Sequence, residues 1–168
     1  MDARHRVISV AACGLLLGSV SATRFGVTGS LAPAACTLLT PGDATKALEV
    51  QSVAGKEDGM GPTGCIWSND PAASDTSRKV ALNTHSPRAF EFAKKPAITT
   101  IKIEPVSGIG DEAFYQIYPN NQSPFIWVRK GNTTFSIRIL TQLKPKPFTI
   151  EQEKAKEATL AKAALAKL

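Results

Sequence analysis

The stretch Gly64-Cys65-Ile66-Trp67 sets a cysteine between a glycine and two large apolar side chains. This composition is typical of a strand that enters a hydrophobic core. A second cysteine, Cys36, lies upstream, and an even pair of cysteines in an exported chain predicts a disulfide. We therefore predict that Cys36 and Cys65 are bonded and tie the start of the domain to this strand. Two buried free thiols are the alternative.

The N-terminus has the pattern of a secretory signal peptide. Arg4 and Arg6 precede a mostly apolar run from Val7 to Val20, and Val20-Ser21-Ala22 fits the small-x-small cleavage pattern. The run is shorter than the roughly 20 residues that a helix needs to span a bilayer. We therefore interpret residues 1–22 as a cleaved signal peptide rather than as a permanent anchor.

Two features leave the mature N-terminus open. Ala32-Pro33-Ala34 offers a second cleavage point, and Val10-Ala11-Ala12-Cys13 resembles a bacterial lipobox, in which the cysteine becomes lipidated. We expect a bacterial protein that is secreted or held in the periplasm or cell envelope, and a lipoprotein if Cys13 is modified. Contact with a membrane is expected only through the signal peptide or such a lipid anchor.

The length and charge narrow the classes of protein. The 168 residues suit one domain with short appendages. Lys and Arg number 20 against 14 Asp and Glu, which gives a formal net charge of +6, but the lysines are dispersed and no basic block is interleaved with aromatic side chains. Nucleic-acid binding is therefore not expected, whereas a basic surface suits anionic polymers of a cell envelope.

The hydrophobic pattern predicts a single α+β domain over residues 36–168, after a flexible leader at 23–35. Its expected architecture is an antiparallel sheet of about five to seven strands with a C-terminal helix packed on one face. Helices are predicted at 41–49, 88–95 and 149–168, the last with Ala158, Ala161, Leu165 and Leu168 facing the sheet. Strands are predicted at 50–53, 65–68, 79–84, 99–106, 113–118, 125–129 and 133–140.

The segments at 54–64 and 69–77 are predicted as exposed loops. Within the first, Gly59 to Gly64 matches the letters of a dinucleotide-binding fingerprint, but the strand that follows offers no helix N-terminus to face a pyrophosphate. Gly108, Gly110 and Asp111 are predicted to form a structural turn that Asp111 caps. None of these segments predicts a cofactor.

No arrangement of residues in the sequence predicts catalysis or a metal site. His85 is the only histidine after residue 22, and no nucleophile-elbow sequence accompanies it, so we interpret it as a surface histidine. One histidine and two paired cysteines are too few ligands for zinc or copper. Asp111 and Glu112 are adjacent, so on a strand they point to opposite faces and not across a cleft as a glycosidase pair must.

Several segments together point to one family. They are Cys36-Thr37-Leu38-Leu39 before a helix, Gly64 to Trp67, the turn from Val106 to Phe114, the hairpin from Phe125 to Leu140, and a terminal helix rich in Ala and Leu. On these segments the chain resembles the bacterial envelope family called domain of unknown function 3558, common among actinobacterial lipoproteins, over nearly everything after residue 35. The resemblance implies an exported α+β domain with no assigned catalysis. The weak lipobox at Cys13 departs from the lipoprotein members.

We expect a non-enzymatic binding or interaction module that acts as a monomer and whose partner is an envelope protein or polymer. The expected binding surfaces are an exposed face of the sheet or the loops at 54–64 and 69–77. A hydrolase of envelope polymers, with His85, Asp111 or Glu112 in a cleft, is the competing hypothesis. A structural accessory of an envelope complex is the third.

Overall fold

One antiparallel sheet organises the part of the chain that the computed structural model describes, residues 33–52, 54–59, 61–70, 77–119, 122–141 and 145–168. Its seven strands within those ranges are β1 Lys56–Glu57, β2 Gly64–Ser68, β3 Arg78–His85, β4 Lys102–Val106, β5 Glu112–Ile117, β6 Phe125–Lys130 and β7 Thr133–Thr141. The helices are α1 Pro41–Leu48, α2 Pro87–Lys94 and α3 Ile150–Leu165. The predicted signal peptide, residues 1–22, and residues 23–32 of the predicted leader lie outside the described residues.

The strand order across the sheet is β1-β2-β3-β7-β6-β5-β4. Every neighbouring pair is antiparallel. Helix α3 packs on β6 and β7, and α1 packs on α3, β3 and β2. The predicted α+β class, with an antiparallel sheet and a C-terminal helix on one face, is confirmed.

Helices α1 and α3 lie on one face of the sheet, which we call the packed face. The core beneath them is built by alternating apolar side chains of the central strands, which are completely buried: Val80, Leu82, Ile126, Val128, Phe135, Ile137 and Ile139. Burying one such side chain stabilises the fold by about 1.5 to 3 kcal/mol. The alternating pattern at 133–140 therefore marks the middle of the core.

The predicted disulfide between Cys36 and Cys65 is present. Cys36 lies in a short 3-10 turn before α1 and Cys65 lies in β2, so the bond fastens the start of the domain to the sheet. Gly55 passes so close that a Cβ atom there would lie 2.6 Å from the Trp67 ring and 2.8 Å from the Cys65 sulfur, so a side chain does not fit without displacing both. Because disulfides persist in oxidising compartments, the bond indicates an extracytoplasmic location.

Each helix begins at a residue whose side chain accepts a backbone hydrogen bond. Thr40 and Asp43 form a reciprocal capping box at α1, and Thr149 and Gln152 form another at α3. Ser86 caps α2 in the same way through its hydroxyl oxygen. Such a cap contributes about 1 kcal/mol. The bounds predicted for these two helices, 41–49 for α1 and 88–95 for α2, agree with the structure to within one residue.

Two predictions at the margins of the sheet are wrong. Residues 50–52 are not a strand, because Ser52 donates its hydroxyl to the Pro41 carbonyl and its N–H to Thr45 Oγ1, which holds the segment against α1. The first strand is instead β1, inside the segment predicted as a loop. At the other edge of the sheet, Pro105 lies exposed in β4, where a residue without an N–H is tolerated.

Helix α3 crosses the packed face as predicted, but the residues that it buries differ in part from the predicted ones: of those, Ala161 is completely buried. Its buried residues are Glu153, Lys154, Glu157, Leu160, Ala161 and Ala164. Of the residues predicted to face the sheet, Ala158 and Leu165 are only partly buried and Leu168 is 47% exposed. Two completely buried glutamates thus occupy part of the contact that the sequence assigns to small apolar residues.

These glutamates bond to the two segments that separate where β6 and β7 stop pairing, which we call the split in the sheet. β7 pairs with β6 only as far as Ile137. Beyond that point Glu157 Oε1 accepts the Ile139 N–H at 3.0 Å, and Glu153 Oε1 accepts the hydroxyl of Ser123, just before β6, at 3.0 Å. A buried N–H without a partner costs about 1 to 3 kcal/mol. Glu157 therefore replaces the missing strand at this amide.

Replacing both Cys36 and Cys65 by alanine is expected to lower the free energy of unfolding by about 3 to 4 kcal/mol, because the bond closes a long loop in the unfolded chain. Urea denaturation followed by tryptophan fluorescence measures the change. The wild-type protein in a thiol reductant is the matched control and should lose a similar amount. A double variant as stable as the oxidised protein would contradict this role.

Candidate functional site

The face of the sheet opposite α1 and α3, which we call the open face, is covered by helix only in part. α2 packs there on β5, β6 and β7, where Phe90 meets Phe114 and Trp127 edge-on at centroid distances of 5.1 and 6.5 Å. Beside α2, a group of side chains on this face stays partly or fully exposed. We call this region the open half; its residues are Lys56, Ile66, Lys79, Ala81, Phe125 and Arg138.

Strand register places four of these residues in one row. Lys56 pairs with Ile66, Ile66 with Ala81, and Ala81 with Arg138. The row crosses three strand spacings, about 14 Å. Lys79 lies two residues before Ala81 and points to the same face, because side chains alternate along a strand. The open half is therefore an apolar floor with a cation at each end.

Arg138 is held more tightly than the other two cations. Its guanidinium lies 4.2 Å above the centroid of the Phe125 ring, a cation–π contact. Its Nε is buried and has no hydrogen-bond partner within the described part of the chain. Burial lowers the pKa of Arg138, and Glu157 and Glu153 oppose that change. An arginine nevertheless stays charged at physiological pH, so the group keeps an unused donor beside an aromatic ring.

The charges of the open half are not balanced. Lys56, Lys79 and Arg138 form no ion pair with any residue that the structure describes. One carboxylate, that of Asp58, lies over Gly64 at the margin of this region, where it fills the space that a side chain would occupy. The open half is therefore mainly basic, with Asp58 at its margin and with Glu153 and Glu157 acting on Arg138 from the packed face.

A polar network borders the open half under α2. His85 Nε2 and Ser136 Oγ are 2.8 Å apart, and the His85 ring stacks on Trp127 with centroids 4.4 Å apart. Trp127 in turn donates its indole N–H to Gln116 at 3.2 Å. Burial lowers the pKa of His85, so the imidazole is neutral at pH 7. The histidine predicted at the surface is half-buried, because Trp127 stacks against one face of its ring.

The contact between His85 and Ser136 resembles the contact between base and nucleophile in a Ser-His hydrolase. The other groups that such an enzyme needs are not found among the described residues. A Ser-His hydrolase also needs an accessible hydroxyl and a group that orients the imidazole. Ser136 is 2% exposed, and no carboxylate of the described residues bonds to His85. The pair therefore serves to satisfy polar groups under α2 in this arrangement.

Asp111 has a structural role different from the predicted one. Gly108 and Gly110 do form a turn with left-handed backbone, φ 75° and 63°. Asp111, however, accepts the Gly131 N–H at 2.7 Å and pairs with Lys130 at 2.9 Å, and these contacts lower its pKa. It therefore caps the turn between β6 and β7, because the two turns lie side by side at one end of the sheet.

Glu112 is held by cations and does not act with Asp111. Its carboxylate pairs with Arg129 at 2.5 Å and with Lys94 of α2. The predicted loops give no separate site either: residues 61–63 are a 3-10 turn that runs into β2 without a helix, and residues 71–76 lie outside the described residues. Within the described ranges, no cluster of His, Cys, Asp and Glu could hold a metal ion.

The buried glutamates of α3 affect the charge of the open half, because Glu157 and Glu153 interact electrostatically with Arg138. Burial is the largest cause that raises the pKa of Glu157, and the charge of Glu153 raises it further, while the Ile139 N–H and Arg138 oppose the change. Burial likewise raises the pKa of Glu153. Burial and Glu157 also raise the pKa of Tyr115. Glu157 thus stays protonated to a higher pH than an exposed glutamate and leaves Arg138 less neutralised.

The sequence predicts that one face of the sheet is exposed, but it does not predict which residues form the open half. The alternation in β7 marks Ser136 and Arg138 as outward, yet the same pattern occurs on any strand with one solvated face. Two signals were available in the sequence: an arginine in the middle of an apolar strand and a phenylalanine at the start of the neighbouring strand. Only the register brings Arg138 onto Phe125.

Comparison of the chain with models of protein families, with curated proteins and with solved structures finds no match. The resemblance to the domain of unknown function 3558 therefore stays a prediction. None of the helices in the described ranges is long and apolar enough to cross a membrane.

The Glu157→Gln variant is expected to change how stability depends on pH. The folded-state pKa of Glu157 is raised above its ordinary value of 4.5, so the folded state binds a proton that the unfolded state has released. The contribution of Glu157 is complete below pH 4.5 and is lost as the pH rises toward the folded-state pKa. Glutamine keeps an acceptor for Ile139 and does not ionise.

Relative to wild type, Glu157→Gln should therefore gain up to about 1.4 kcal/mol per pH unit in unfolding free energy across that window. Urea denaturation at a series of pH values measures the difference. Glu151→Gln, on the same helix with an 80% exposed side chain, is the control and should follow the wild-type profile. Parallel profiles for Glu157→Gln and wild type would contradict the raised pKa.

Proposed function

We propose that the protein is an exported, non-enzymatic binding module that holds an anionic polymer of the cell envelope on the open half. The observation that carries the proposal is the set of three cations Lys56, Lys79 and Arg138, which have no ion-pair partner among the described residues and surround the apolar floor of Ile66 and Ala81. A phosphate or carboxylate group of the polymer pairs with the cations, and its carbon backbone lies on the floor.

An extended chain suits this surface better than a small ligand does. The row is about 14 Å long from Lys56 to Arg138, and it is flat because it follows one face of a sheet. Small-molecule sites are usually concave and bury most of the ligand. The disulfide supports an oxidising location, and the predicted signal peptide supports export toward the envelope, where anionic polymers occur.

Hydrolysis of such a polymer by His85 and Ser136 is the second candidate function, favoured by their 2.8 Å contact. The 2% exposure of Ser136 argues against it. The two functions differ in what happens to the polymer. A binding module leaves its chain length unchanged, whereas a hydrolase shortens it in a manner that Ser136→Ala abolishes.

The double variant Lys79→Gln, Arg138→Gln is expected to bind poly(glycerol phosphate) at least ten-fold more weakly than wild type, because a partly buried charge-assisted hydrogen bond contributes about 1.5 to 3 kcal/mol. Isothermal titration calorimetry measures the affinity, which should also fall as salt is added. Polygalacturonate serves as the carboxylate-bearing probe.

The matched control is Lys162→Gln, which removes an exposed charge from α3 on the packed face and should leave binding unchanged. If the control and the double variant lost the same affinity for the polymer, net charge alone would explain the loss, and the proposal would be contradicted. Failure of the wild-type protein to bind either polymer at low salt would also contradict it. Gel filtration of the recovered polymer tests for cleavage in the same samples.

A further inference from the structure

The outer surface of α2, which the proposed function does not use, exposes apolar side chains. Phe92 is 64% exposed, and Ile98, in the segment after the helix, is 61% exposed. The other large apolar side chain exposed within the described ranges, Leu168, lies at the far end of the chain at 47%. A single exposed apolar residue needs no explanation, but an aromatic ring that is mostly exposed on a short helix contributes little to the core.

The charges around Phe92 are positive. Arg88, Glu91, Phe92 and Lys95 border one open depression of about 380 Å³, and the Arg88 guanidinium lies 5.3 Å from the centroid of the Phe92 ring. Glu91 is neutralised by Arg129, whose Nη1 is 3.3 Å from its carboxylate.

Arg88 and Lys95, in contrast, form no ion pair with a described residue. An apolar ring thus stands beside two cations that have no ion-pair partner among the described residues, and one of them, Arg88, lies over the ring. This pairing of an apolar group with unpaired cations matches the two forces that hold a protein at an anionic membrane surface.

We propose that this surface of α2, formed by Arg88, Phe92 and Lys95, rests on an anionic lipid bilayer. Phe92 enters the region between headgroups and acyl chains, and the two cations pair with lipid phosphates at the headgroup level. The contact is reversible, since one ring and two cations form a much weaker attachment than a spanning helix or two lipid chains. It positions the open half, which is on the same side of the sheet as α2, near the membrane.

Co-sedimentation of the purified protein with vesicles tests the proposal. We expect binding to phosphatidylcholine vesicles that contain about one third phosphatidylglycerol and little binding to pure phosphatidylcholine, because each cation near an anionic surface strengthens the partition about five-fold. Arg88→Gln with Lys95→Gln should therefore weaken binding by roughly 25-fold. Phe92→Ser should weaken it by at least about ten-fold, as expected for an apolar side chain withdrawn from the interface.

Two controls keep the test specific. Leu168→Ser removes an exposed apolar side chain elsewhere and should bind like wild type, and so should Lys162→Gln, which removes an exposed cation of α3 on the other face of the sheet. Equal loss of vesicle binding in Lys162→Gln and the α2 variants, unchanged binding of Phe92→Ser, or equal binding to neutral vesicles would each overturn the proposal. Self-association without vesicles that Phe92→Ser abolishes would assign the surface to a second copy of the chain and overturn it as well.

Discussion

The hydrogen bond from the Ile139 N–H to Glu157 Oε1 is the contact on which the arrangement of the sheet depends. β6 leaves β7 after Ile137, and the next inward amide of β7 would lie buried without a partner. Burying a charged carboxylate costs several kcal/mol, whereas a neutral carboxyl accepts the bond at a much lower cost. A helix thus stands in for a strand at this position because the Glu157 carboxyl oxygen lies 3.0 Å from the Ile139 nitrogen. Burial raises the pKa of this carboxyl, and the bond from the Ile139 N–H lowers it.

The same split borders the open half, for which we propose a binding role. Glu153 and Glu157 lie at the split on the packed face, and Arg138 lies over Phe125 on the open face, so ionisable side chains cover both sides of the split. The arginine cannot be replaced by an apolar residue without losing the cation at the end of the row. The buried glutamates of α3 and the position of Arg138 thus both lie at one irregularity in β-pairing.

Much of the fold follows from local sequence signals. The alternation over 133–140, the capping box of Thr149 and the pair of cysteines each act over short distances or through simple chemistry, and each is confirmed. The rotation of α3 could not be predicted, because Glu153 and Glu157 lie in a helix rich in Lys and Glu, where such residues usually face solvent. Their burial depends on the strand order and on a missing pairing, which no local pattern encodes. The open half is hidden for the same reason, since its row is assembled from four strands.

Hydrogen exchange of the Ile139 amide, followed by NMR in Glu157→Gln and Glu157→Leu variants, tests the central claim most directly. Leucine fills the space without offering an acceptor, so the Ile139 amide should lose its protection while the Ile137 amide, next to β6, keeps its own. Glutamine should preserve both. An Ile139 amide that remains as protected in Glu157→Leu as in wild type would contradict the claim that a carboxyl group of α3 takes the place of a strand.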